Sequence, residues 1–415
     1  MSEPRIFISA GEASGEHYGT RLVEALLARV PGADCFGLGG ARMEQLGFRR
    51  IVKAEDVAVM GITEVVRHMP RIYAEFHKLK ASLRRERPDV AILIDFPDVN
   101  LRLAEELHRL KVPVIYFVSP QLWAWKKRRI ERVKKYVTRM LVIFPFEVEF
   151  YRGHGVQAEF VGHPLAEQAL PTISREEFAA KFGYNLKPEK QWIALLPGSR
   201  RKQIELNLPE MLRAAKLLNA GETKYEFLIP WAPGIDRSIF PPLLKAHGSV
   251  GVPIHLGEDA RAVLFHARAS IVSSGTATVD AALIGNPFVV VYRLSRTSFA
   301  VARRVVDVPH VAMVNLVAGR RLVPELIQHD FTAVHVVEQL RPLLADGEAR
   351  ITMQKGLGDV RASLERPAAS SLAMGTSSRS GTAGSTGTAI DAVAEIALSY
   401  TLSSMITPSR PVSVS

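Results

Sequence analysis

Apolar runs without polar alternation punctuate this chain, each closed by glycine, proline or a carboxylate. The clearest is Val90-Ala91-Ile92-Leu93-Ile94. Five successive apolar positions predict a short strand covered on both faces, as in the middle of a parallel sheet. Pro97 ends the run. Asn100 then stands where an N-cap would open a helix whose apolar positions recur with helical spacing. Asp95 and Asp98 fall at or just beyond the carboxyl end of the strand, the edge at which open α/β sheets bind ligands. A carboxylate there can act as a general base, hold a ribose, or only order the loop through an Asx turn.

The same pattern recurs along the chain. Strands are predicted over 5–10, 34–38, 112–118 and 141–144, then over 192–196, 226–229, 254–256, 269–272 and 288–291. Helical spacing falls between them, over 20–29, most of 57–87, 126–136 and 174–182. Strand–helix alternation on both sides of His163 predicts an α/β protein with two doubly wound, Rossmann-like domains facing a central cleft. The boundaries are 1–165 and 166–345, followed by 346–400. Within that last stretch, 367–388 is rich in Ser, Thr, Gly and Ala and reads as a mobile loop. Residues 401–415 read as a disordered tail.

Several turns between these elements carry candidate chemistry. Gly11-Glu12-Ala13-Ser14-Gly15 lies between the first strand and the first helix, where glycine lets backbone approach a ligand and aims helix N–H groups at it. Tight packing of strand on helix explains the same glycines, and the stretch is neither a Walker A loop nor Gly-x-Gly-x-x-Gly. Ser119-Pro120-Gln121-Leu122-Trp123-Ala124-Trp125 ends another strand, and its tryptophans serve as packing anchors or as a floor for an apolar or sugar group. From Met60 and Gly61 to Arg87, apolar residues interleave with Lys78, Lys80, Arg84 and Arg85, as on a helix lying at an anionic membrane interface or on an ordinary surface helix.

Composition narrows the class. A chain of 415 residues, 47% hydrophobic and 23% charged, is globular and long for one core. The single cysteine excludes an internal disulfide, and no Cys/His metal spacing exists. No signal peptide or transmembrane helix is expected. The net charge of +11 suits an anionic partner: nucleic acid, an acidic membrane surface or a phosphorylated substrate.

Taken in order, the motifs resemble one family. Ala10-Gly11-Glu12-Ala13-Ser14-Gly15, Val59-Met60-Gly61-Ile62-Thr63-Glu64, Ile94-Asp95-Phe96-Pro97-Asp98-Val99-Asn100 and Ser119-Pro120-Gln121-Leu122-Trp123 come first. Phe144-Pro145-Phe146-Glu147, Val161-Gly162-His163-Pro164, Pro197-Gly198-Ser199-Arg200, Ser274-Gly275-Thr276-Ala277-Thr278 and Pro309-His310-Val311-Ala312-Met313-Val314-Asn315 follow. Each piece is ordinary alone; in this order the set is similar to the bacterial lipid-A-disaccharide synthases, glycosyltransferases of the two-domain GT-B fold.

The resemblance implies transfer of diacylglucosamine from UDP-diacylglucosamine to the 6-hydroxyl of diacylglucosamine 1-phosphate, with inversion, giving a β-1,6 disaccharide and UDP. It implies no metal or other cofactor, no nucleic-acid partner, and a peripheral position on the anionic inner face of the cytoplasmic membrane. It leaves room for a homodimer, and implies that the helices of 346–400 pack back on the first domain. Asp98 matches the general base. Gly198, Ser199, Arg200, Ser274, Gly275, Thr276, Asp280 and Asn315 match the UDP-sugar site. Gly11, Glu12, Ser14, Gly15, Met60, Gly61, Asp95, Ser119 and Trp123 are candidates for the acceptor side. Three positions depart from the family's habit: Asp280 stands for Glu, Gln203 for an acidic residue, and Glu16 for Asp. Two alternatives compete, another GT-B transferase or epimerase acting on a soluble UDP-sugar, and a basic nucleotide- or RNA-binding protein indifferent to loss of Asp98.

Overall fold

The computed structural model describes residues 3–57, 62–125, 127–181, 186, 189–220, 224–232, 234–247, 251–306, 308–366 and 387–406. The chain divides into two compact units, Met1–Pro164 with Arg366–Ser415, and Leu165–Glu365.

Among the described residues, the first unit holds seven strands: β1 (Arg5–Ala10), β2 (Asp34–Gly39), β3 (Arg49–Lys53), β4 (Val90–Ile94), β5 (Val114–Phe117), β6 (Arg139–Val142) and β7 (Ala158–Phe160). All pair in parallel, in the order β3-β2-β1-β4-β5-β6-β7. Every residue of β4 and β5 is buried, as their unbroken apolar runs require. The edge strands β3 and β7 have no such run, being covered on fewer sides, and periodicity did not predict them.

Three local expectations change. The first helix begins at Ala13 rather than near residue 20, so only Gly11 and Glu12 separate it from β1. Asn100 is no cap: the helix Pro97–Arg109 starts three residues before it, with Phe96 at the N-cap. The last helix runs Ala389–Ile406, so the start of the expected tail is helical, while 367–386 and 407–415 lie outside the described residues.

The second unit repeats the design with β8 (Gln191–Leu196), β9 (Tyr225–Pro230), β10 (Ile254–Gly257), β11 (Ala269–Ser273), β12 (Phe288–Tyr292) and β13 (Glu325–Ile327), parallel in the order β10-β9-β8-β11-β12-β13. Here too the strand that went unpredicted, β13, is a short edge strand. The two helices beyond residue 345 part company. Glu348–Leu364 stays with the second unit, against the helices Thr276–Ile284 and Met313–Ala318. Only Ala389–Ile406 returns to the first, packing on the helix Ala13–Arg29 and on β4, with Arg29 and Asp391 paired at 2.7 Å.

Candidate active site

In each sheet the strand order reverses once, between β1 and β4 in the first unit and between β8 and β11 in the second. At such a switch point the connections leave in opposite directions and open a crevice at the carboxyl ends of the strands. Residues 11–15, Asp95 and Asp98 follow the strands of the first, and residues 198–200 and 274–276 those of the second.

At the first switch point, β4 ends in two consecutive left-handed residues, Asp95 and Phe96, both with φ of 47°. That conformation costs a non-glycine residue about 1–3 kcal/mol, so neighbours must hold it. Asn100, fully buried, donates from Nδ2 to the carbonyls of Ile94 (3.1 Å) and Asp95 (2.8 Å). Its Oδ1 accepts from the Ser9 hydroxyl at 2.6 Å. The Tyr116 hydroxyl donates to the Asp95 carbonyl at 2.6 Å. The clamp fixes where the next helix starts, and Asp98 lies in its first turn. The Asp98 side chain is 67% exposed and paired with Arg129, so it is reachable from solvent.

Asp95 differs. Burial, with the Glu12 carboxylate nearby, pushes its pKa up to about 7. Gly11 sits against the Phe96 ring, where a Cβ would fall 2.4 Å from Cδ1, so glycine is required there for packing. Ser14 is exposed and Gly15 buried in the first turn of the helix Ala13–Arg29. Glu16 turns away and accepts from the backbone N–H of Arg42 at 3.3 Å, which gives this departure a structural use.

Beyond β5, Ser119 and Trp123 converge on one buried carboxyl that residue spacing alone did not single out. Glu147 Oε1 accepts from Ser119 Oγ (2.5 Å) and Trp123 Nε1 (3.1 Å), and its Oε2 accepts from the Phe144 N–H (3.2 Å). The indole also meets Phe146 edge-on, with centroids 5.2 Å apart. Burial raises the Glu147 pKa from 4.5 to about 7 despite these donors. Between those pH values the folded protein keeps a proton that the unfolded chain releases, so this group's contribution to stability falls as pH rises. Glu147→Gln, which cannot ionise, is therefore expected to gain stability relative to the parent between pH 5 and 8. Thermal midpoints measured side by side check this, and a difference independent of pH would refute it.

At the second switch point two helices begin without a side-chain cap and without an acidic residue in the first turn. One is Arg201–Leu218, after Pro197-Gly198-Ser199-Arg200; the other is Thr276–Ile284, after Ser273-Ser274-Gly275. Their free N–H groups and positive dipole ends suit an anion. Gly198 and Gly275 have φ of 128° and 150°, accessible essentially to glycine alone. Gln203 Oε1 accepts from the Ser199 N–H at 3.3 Å, closing the turn with no charge needed. Arg200 is exposed, and no carboxylate among the described residues pairs with its guanidinium, whereas Arg201 beside it is held by Glu205 at 3.0 Å.

Asn207, which the sequence did not flag, plays here the part Asn100 plays in the first unit. Fully buried, it donates to the Pro197 carbonyl (3.0 Å) and Ser273 Oγ (3.1 Å) and accepts from the Arg293 N–H (3.0 Å), tying together the ends of β8, β11 and β12.

One expected nucleotide contact is reassigned by geometry. Asn315 has no exposure: Nδ2 donates to the Val323 carbonyl (2.9 Å) and Glu325 (2.7 Å), while Oδ1 accepts from the N–H groups of Leu322 and Val323. With the amide fully used it cannot also meet a ligand. Instead it and Glu325, which accepts from the N–H groups of Val311 and Ala312 at 3.0 Å, hold the loop that reaches Ser274. Asp280 is half-buried and paired with Arg261 at 2.7 Å.

Met60 and Gly61 lie outside the described residues. In the helix Ile62–Glu86 the basic residues toward the end are matched by acids: Lys78 by Glu75 (2.6 Å), Lys80 and Arg84 by Glu106 (3.0 and 2.7 Å), and Arg85 by Glu86 (2.8 Å).

A family model described as lipid-A-disaccharide synthetase matches residues 6–374. The chain belongs to the lipid-A-disaccharide synthase family. The relative from Acidobacterium capsulatum is 61% identical over 383 residues, covering 90% of this chain and 94% of its own length. That from Koribacter versatilis is 49% identical over 364 residues, covering 87% and 93%. Both bear the name lipid-A-disaccharide synthase. Among solved structures, the calicheamicin glycosyltransferase CalG4 superposes with a TM-score of 0.56 at 16% identity, over 98% of this chain and 100% of that one. A UDP-GlcNAc 2-epimerase from Neisseria meningitidis, bound to UDP-GlcNAc, gives 0.53 at 12%, over 88% and 99%. These two share the GT-B architecture and show the fold alone. Family membership makes this synthase a glycosyltransferase of lipid A biosynthesis, which removes the soluble-sugar transferase, epimerase and RNA-binding alternatives.

Proposed function

We propose that the protein joins UDP-2,3-diacylglucosamine to 2,3-diacylglucosamine 1-phosphate, with Asp98 accepting the proton of the attacking 6-hydroxyl. The observation that carries this assignment is an accessible carboxylate at the switch point of the first sheet, on a turn clamped by buried hydrogen bonds. A sugar hydroxyl is a weak nucleophile, and a positioned base contributes roughly 10²–10⁴-fold, about 3–5 kcal/mol of barrier. Displacement at the anomeric carbon from the face opposite UDP inverts it to the β-linkage. The second unit supplies the field for the leaving diphosphate: Arg200 and the N–H groups opening the Thr276–Ile284 helix meet charge as it develops. Asp280 contributes one carboxylate oxygen to the ribose while Arg261 keeps the other. Glu12, Ser14, Ser119 and Trp123 frame the acceptor.

Both substrates carry acyl chains and the protein is strongly basic, which supports a peripheral position on an anionic membrane. Among the described residues no helix is long and apolar enough to cross one.

Incubation with both acylated sugars, followed by mass analysis, tests the reaction. A product heavier than the acceptor by one diacylglucosaminyl group, with UDP released, is expected; acceptor recovered unchanged beside free sugar would overturn it. Arg200→Ala is expected to weaken UDP binding about tenfold or more, the scale of a lost charge-assisted contact. Because the side chain is exposed, the thermal midpoint should not move. Calorimetry showing unchanged UDP affinity would take Arg200 out of the site.

A further inference from the structure

We propose that the helix Arg296–Val305 of the second unit is a bilayer-docking element, lying on an anionic lipid surface. The inference rests on the acylated substrates assigned above and adds the contact surface. This helix is strongly amphipathic, yet none of its residues is buried. At 100° per residue Val301 and Val305 share a face, with Val306 just past the helix end, and they are 60%, 50% and 42% exposed. Phe299, half-buried, lines a cavity of about 590 Å³ with Leu206 and Leu294, so even the inner side of the helix rests on open space rather than on packed core.

At the same spacing Arg303 falls opposite the valines and Arg304 at their flank, while Arg296 lines the cavity; from Phe288 to Val306 the sequence has no acidic residue, and Asp307, next along, lies outside the described residues. Among the described residues no carboxylate pairs with these three arginines. The basic residues of the first unit from Lys78 to Arg85 contrast with them, each being matched by a nearby acid. Scattered exposed valines are ordinary. Adjacent ones on a helix whose arginines meet no carboxylate among the described residues form the pattern of an interfacial helix, with apolar side chains entering the acyl boundary and guanidinium groups held at the phosphates. Charge complementarity therefore selects an anionic bilayer over a protein groove.

The test is sedimentation of the full chain with vesicles of phosphatidylglycerol and phosphatidylcholine, against pure phosphatidylcholine. Two double variants are compared with the parent: Arg303→Ala with Arg304→Ala, and Val301→Ser with Val305→Ser. The arginine pair should lower partition onto the anionic vesicles by roughly tenfold or more. The valine pair should lower it several-fold, also at a salt concentration that screens charge. Turnover of detergent-dispersed substrates and the thermal midpoint should stay at parental values, since these exposed side chains touch neither core nor site. Parental binding in both variants would overturn the docking role and leave the reaction untouched. A parent that ignores anionic vesicles would overturn the peripheral position as well, while the product assay still judges the chemistry separately. Loss of a dimer in the valine variant, with lipid binding unchanged, would hand the surface to a second copy of the chain.

Discussion

Asp98→Ala is expected to lower kcat by roughly 10²–10⁴-fold while leaving UDP affinity, measured by calorimetry, at its parental value. The split follows from location: the carboxylate belongs to the unit without the nucleotide candidates, so its loss should not touch the diphosphate contacts. It should not unfold the protein either. The side chain is mostly exposed and its visible partner is Arg129, a class of pair worth about 0–1 kcal/mol, with a comparable few tenths from its place at the helix start. A decrease below about tenfold would remove Asp98 as the base. Asp95 would then be next in line, since its pKa of about 7 already suits proton transfer near neutrality.

Asn100→Ala should damage both the fold and the reaction. It takes the amide partner from the Ile94 carbonyl and the Ser9 hydroxyl inside the sheet edge and leaves the Asp95 carbonyl with Tyr116 alone, and each buried group left unsatisfied costs about 1–3 kcal/mol. After partial relaxation a loss of roughly 2–4 kcal/mol is expected, read by denaturant unfolding. Released from its clamp, the left-handed Asp95–Phe96 turn should relax and carry Asp98 out of place, so activity should fall even where the variant is fully folded. A folded Asn100→Ala protein with parental kcat would show that the clamp does not position the base.

The central strands were legible because burial on both faces leaves an unbroken apolar run, and Val90 to Ile94 needed no more than that. β3, β7 and β13 escaped because edge strands need no such run. Asn100 shows a different limit. Its residue type suggested a helix cap, but an amide can serve a cap, a loop or a strand end equally well, and only the fold says which carbonyls it faces. Asn207 was invisible for the same reason, set inside a helix among leucines. Asn315 was noticed for its motif but given the wrong task, because sequence cannot reveal that four neighbouring backbone and side-chain groups already consume its hydrogen bonds. Asp98 and Arg200 were singled out by position together with motif, both falling just past apolar runs.

The first unit is completed from both ends of the chain. Arg366 crosses so close to Gly162 that a Cβ on that glycine would lie 3.0 Å from its backbone. Ala389, Ile390, Val393, Ala394 and Ala397 are then buried in the closing helix. On the ribosome the opening half must therefore wait, its flank against the Ala13–Arg29 helix and β4 uncovered, while the whole inserted unit is translated. At ordinary elongation rates that delay is on the order of ten to forty seconds. A transcript cut short after the inserted unit would release a chain with a permanent sticky flank, so nascent-chain chaperones should hold this protein until its final turn emerges.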